Sequence, residues 1–117
     1  MADIVPQGPG GEFLLYQAED GQTRIECRFQ GETVWLTQQQ MAELFGVDKS
    51  GVSRHLKNIY ESGELSQEAT VAKFATVQTE GNRKIKRNLT YYNLDVIISV
   101  GYRVNSKKAT QFRIWAI

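Results

Sequence analysis

A single histidine, His55, and a single cysteine, Cys27, limit the chemistry open to this chain of 117 residues. A Ser-His-Asp nucleophile set or a metal hydrolase with several imidazole ligands asks for more. One cysteine cannot close an internal disulfide or build a thiolate zinc site, and it fits a reducing cytoplasm. Tyr91-Tyr92 invites a tyrosine nucleophile of the strand-transferase kind. That chemistry needs a metal cluster or convergent histidines and arginines to stabilise the phosphoryl transition state. Strand alternation also puts the two rings on opposite faces. The cluster Gly8-Pro9-Gly10-Gly11 lacks the following helix of a phosphate loop, and no paired-carboxylate or Cys/His-rich spacing occurs. The chain reads as non-catalytic, with no cofactor and no metal.

Cations carry more information. The net charge of +1 conceals a step, because residues 1–46 hold two basic side chains against seven acidic ones, while residues 47–117 hold twelve against six. Such a step suggests that the second half faces an anion. Two clusters stand out within it. Lys49, Ser50, Ser53, Arg54 and Lys57 lie between the apolar positions of one segment, and Arg83, Lys84 and Lys86 fall in another. Short polar residues beside an arginine suit base edges in a major groove, where Arg54 can bond guanine in bidentate fashion. Lys49, Lys57, Lys84 and Lys86 suit phosphates. The partner this implies is double-stranded DNA.

The elements that must hold these residues follow from apolar period and turn chemistry. Residues 1–11 have no apolar period and read as a flexible leader. Residues 12–36 read as an antiparallel β meander: Phe13–Tyr16, an Asp20-Gly21 turn, Thr23–Phe29, a Gln30-Gly31-Glu32 turn and Thr33–Leu36. Ile25, Cys27 and Phe29 fall on its buried face, which makes Cys27 a small core residue rather than a reactive thiol. The period then changes. Residues 37–61 predict a helix-turn-helix, with Thr37 capping helix 38–45, Gly46 at the turn and Asp48 capping Lys49–Glu61. Ala42 is small where the helices cross, and Met41, Phe45, Val47, Val52 and Leu56 fill the seam. A purely structural hairpin of helices gives the same pattern. His55 is expected on the rim, half-buried against the first helix. Gly51 is costly inside a helix, which suggests close approach to another helix or to DNA.

Residues 70–92 predict a β-hairpin around Thr79-Glu80-Gly81-Asn82. Alternation sets Lys84 and Lys86 on one face and Ile85, Leu89 and Tyr91 on the other. A basic hairpin after a recognition helix is a winged-helix arrangement, and an edge strand guarded by lysines is its plainer alternative. Residues 93–117 predict two helices, capped by Asn93 and Ser106. The last is amphipathic to its end, so the chain reads as a fragment of a longer protein with a C-terminal domain beyond it. The class is therefore α+β, a single domain over 12–117, with Trp35, Phe74, Phe112 and Trp115 expected in the core. No apolar run approaches the length of a membrane span, and no secretory signal is visible. Apolar residues at 41% and charged ones at 23% fit an ordinary globular domain.

With these residues in view, the chain resembles the RhuM virulence-protein family of bacteria. The matching stretches are Thr33–Thr37, Met41–Phe45 onward, Tyr91–Val104 and Ala109–Ala116. The resemblance implies a longer bacterial protein, often encoded on mobile elements, with a DNA-binding role of poorly defined activity. More distantly, Leu94–Trp115 looks like the Bro-N and KilA-N domains of phage antirepressors. Some relatives place this domain ahead of a Fic-type domain, whose motif is not found in these residues. The competing expectation is a protein–protein interaction module, with the helices serving dimerisation. A homodimer would also suit two-fold DNA sites.

Overall fold

The structure is a computed structural model, and it describes residues 4–7, 11–18, 21–104 and 107–116. Six antiparallel strands form one sheet, β1 (Ile4–Gln7), β2 (Gly11–Gln17), β3 (Arg24–Gln30), β4 (Thr33–Leu36), β5 (Val71–Glu80) and β6 (Arg83–Asn93). Their order is β1-β2-β3-β4-β6-β5. The helices are α1 (Gln38–Phe45), α2 (Lys49–Glu61), α3 (Gln67–Thr70), α4 (Leu94–Val104) and α5 (Lys107–Ala116). The α+β class, the meander, the helix pair, the hairpin and two C-terminal helices are all present.

Local chemistry explains the boundaries. Thr37 Oγ1 accepts from the Gln40 amide at 3.1 Å, and the Thr37 amide donates to Gln40 Oε1 at 3.0 Å, so two orphan donors are satisfied at once. Gly46 ends α1 at φ 69°, a left-handed conformation that glycine adopts without steric cost. Asp48 occupies the N-cap of α2 with extended backbone, though its side chain makes no capping bond. Asn93 caps α4, its Oδ1 accepting from the Val96 amide at 3.3 Å. The proposed caps and turn residues Ser106 and Asp20, and Gly8 to Gly10, lie outside the described residues.

Two expectations need correction. Ile4–Gln7 do not belong to a free leader: they pair with β2, Ile4 opposite Leu14 and Gln7 opposite Gly11. This strand is at the sheet edge, where a proline such as Pro6 is tolerated because one side of the backbone needs no partner. Second, Trp35 and Phe74 are not in the main core. That core lies between the helices and one sheet face, with Leu36, Met41, Leu44, Val52, Ile59, Ile97 and Phe112 almost fully buried. Trp115 only packs at its edge.

Register shows why. Phe13 pairs with Arg28, Arg28 with Trp35, and Phe74 with Leu89, all on the face opposite Ile25, Cys27 and Val34. On that second face Trp35 meets Phe74 edge-on at 5.3 Å, and Phe74 meets Tyr91 at 5.5 Å. Arg28, 4% exposed, lies over Phe74 at 4.2 Å and near Tyr91 and Phe13. The helix-side core includes none of these side chains.

Candidate nucleic-acid interface

The cationic surface of α2 is set by its buried stripe. Val52, Leu56 and Ile59 face the core, so helical geometry turns Ser50, Arg54 and Lys57 outward and sends Lys49 and Ser53 to one flank. All five are exposed. Among the described residues no carboxylate lies within ion-pair distance of Lys49 or Arg54, while Lys57 sits 4.0 Å from Glu61, one turn on. Glu61, the one acid within α2, thus screens the C-terminal end of the cationic stripe.

Lys49 and the hairpin meet at one groove of about 330 Å³, lined by Thr37, Gln38, Gln39, Lys49, Gln78, Leu89, Thr90 and Tyr92. Lys84 and Lys86 are exposed on β6 and share the face of Tyr92, the face that carries the helices. Arg83 is exposed on the opposite face, beside the turn. Lys73, paired with Thr90, joins Lys84 and Lys86 on the helix-bearing face, and nothing in its local sequence singled it out. Arg87 is held differently, bonded to Glu80 at 2.9 Å across the hairpin.

A hydrogen-bonded chain ties the flank of α2 to the sheet. Ser53 Oγ donates to Gln38 Oε1 at 2.7 Å, and Gln38 Nε2 donates to the Tyr92 hydroxyl at 3.1 Å. Gln38 was not a candidate from sequence; its partners lie 15 and 54 positions away.

His55 occupies the other flank. Half-buried, it lines a second groove with Gly46 and Val47 at the end of α1, Asp48, Gly51 and Arg54, and Val104 at the end of α4. Burial lowers its pKa from the ordinary 6.5, and the nearby Arg103 and Arg54 charges add to the effect. Among the described residues, a Cβ at Gly51 would meet only Arg54 Nη2, at 3.7 Å. Cys27 is fully buried, and burial pushes its thiol up to about 12, which leaves it inert near neutral pH. Tyr91 bonds Thr76 at 3.0 Å on the second sheet face, away from Tyr92 and Gln38. Among the described residues no cluster of His, Cys, Asp or Glu could hold a metal ion. No helix among them is long and apolar enough to cross a membrane.

Residues 69–117, which span the hairpin and the C-terminal helices, are similar to the family model described as the virulence protein RhuM family. The α1–α2 pair, with Thr33–Thr37 and Met41–Phe45, lies outside the matched stretch. No curated protein and no solved structure matches the chain.

Proposed function

We propose that this domain binds double-stranded DNA without catalysing a reaction. In this reading α1 and α2 are a helix-turn-helix, α2 enters the major groove and the β5–β6 hairpin is a wing on the backbone. The observation that carries it is the shared groove, which places Lys49 of the helix beside Gln78, Leu89 and Thr90 of the hairpin. Connectivity supports it: β4, α1, α2, β5 and β6 follow in chain order, and β4 closes onto β6 to give the sheet order β4-β6-β5. Apart from the four-residue α3 between α2 and β5, this order fits the strand–helix–helix–hairpin plan expected of a winged helix. Lys49, Ser50, Ser53, Arg54 and Lys57 would face base edges and flanking phosphates, and Arg83, Lys84 and Lys86 the backbone. A bacterial cytoplasmic regulator of a mobile element would use such a domain, dimeric if its DNA sites are two-fold.

The test is a gel-shift on random duplex, with the Lys49/Arg54/Lys57 triple alanine variant beside the native chain. Binding that the variant loses supports the reading; equal binding by both, or none by the native chain, refutes it. One observation favours a second reading as an interaction or dimerisation module. Phe13, Trp35 and Phe74 leave an aromatic sheet face that no described helix covers. That reading expects self-association through this face and indifference to DNA.

A further inference from the structure

Ser50 and Ser53 have the same side chain on the same exposed helix, but the structure spends the Ser53 proton. Ser53 Oγ donates it to Gln38 Oε1 at 2.7 Å. The Gln38 amide is oriented for this because its other end, Nε2, donates to Tyr92. Tyr92 is itself a firm anchor, 9% exposed and paired with Leu36 on one side and Val71 on the other. A hydroxyl has one proton and two lone pairs. With the proton directed inward, the exposed side of Ser53 offers only acceptors.

Major-groove edges sort by that property. Adenine presents an N6 amine and cytosine an N4 amine, whereas guanine offers O6 and N7 and thymine offers O4, all acceptors. Resting on the DNA-binding reading above, we propose that Ser53 is a specificity-determining contact that accepts a hydrogen bond from adenine N6 or cytosine N4. Gln38 is its positioning residue, since it fixes the polarity of the hydroxyl. Ser50, which has no such relay, can donate or accept and carries no comparable restriction.

The experiment starts from duplexes selected by the native chain out of a randomised library. Exocyclic amines are then deleted one base at a time, with deoxynebularine for adenine and 2-pyrimidinone for cytosine. At one position the deletion should weaken native binding by roughly 3- to 10-fold, the worth of a single hydrogen bond, and leave Ser53→Ala unaffected. Gln38→Ala frees the hydroxyl rotor, so it should admit guanine or thymine at that position. Gln38→Glu still takes the proton, so it should keep the amine requirement while its charge weakens binding to every duplex. A mere loss of helix packing would not separate these two variants. The proposal is overturned if Ser53→Ala shows the same amine profile as the native chain, or if Ser53 couples to a guanine or thymine acceptor. A native chain that selects no duplex at all overturns the DNA-binding reading itself, and this inference with it.

Discussion

Arg28 shows how a single residue can be at odds with its surroundings. It is 4% exposed, donates from Nε to Gln30 at 3.3 Å, and leaves Nη1 without a partner. Among the described residues no carboxylate pairs with it. The Phe74 ring at 4.2 Å offers a cation–π contact of about 0.5–2 kcal/mol, whereas removing an ion from water costs several kcal/mol. Arg28→Met keeps a stem over Phe74 and removes the charge, so its stability in urea should equal or exceed that of the native chain. Arg28→Ala should fall by about 1–3 kcal/mol, because it also removes the packing. A methionine variant as weak as the alanine one would show that the guanidinium itself stabilises the sheet.

At the scale of elements, the helix pair has a testable compromise at Gly51. Space there is open, so Gly51→Ala should stabilise the chain by about 0.5–1 kcal/mol through helix propensity. If Gly51 permits close approach to DNA, the same variant should bind duplex more weakly; unchanged affinity would remove that role. Glu64, in the loop that follows α2, is tied to α4. Arg103 Nη2 bonds its Oε1 at 2.9 Å and Ser99 Oγ its Oε2 at 2.6 Å, and these bonds, with the Arg103 charge, hold its pKa below the ordinary 4.5. The unfolded chain therefore takes up a proton first as pH falls. The stability this contact supplies is complete above 4.5 and is lost as pH drops through the lower folded value. Glu64→Gln should melt below the native chain at pH 7, and the gap should close in acid. His55 is also depressed, so it adds a separate loss just below 6.5, which His55→Asn should remove. Melting temperatures across pH 3–8 check both.

These elements were legible wherever a boundary is encoded nearby. Thr37 with Gln40, Gly46, and the Gly81-Asn82 turn each announce themselves within four residues. Strand β1 was not, because four residues containing Pro6 carry no period and gain their structure only from β2. Alternation tells which residues share a face but not which face the helices cover, so the expectation that Trp35 and Phe74 join the core could not foresee that they lie on the other face of the sheet. Gln38 could not be found, since its role depends on a helix and a strand that meet only after folding.

For the whole molecule, the sheet separates two apolar assemblies. One is sealed by α1, α2, α4 and α5, with Gly101 allowing close approach: a Cβ there would lie 3.3 Å from Ala109 and 3.4 Å from Phe45. The other is the aromatic face around Arg28. The charge step along the chain becomes spatial in the same way, with Lys73, Lys84 and Lys86 on the helix-bearing side of the hairpin and Lys49 beside its base. The measurement that tests the central claim most directly is duplex affinity as a function of salt. If about six phosphates are neutralised, log K should fall with log salt at a slope of about −5, and the Lys49/Arg54/Lys57 triple alanine should flatten it by about 2 to 3. An affinity for duplex DNA that does not change between low and physiological salt would contradict the account.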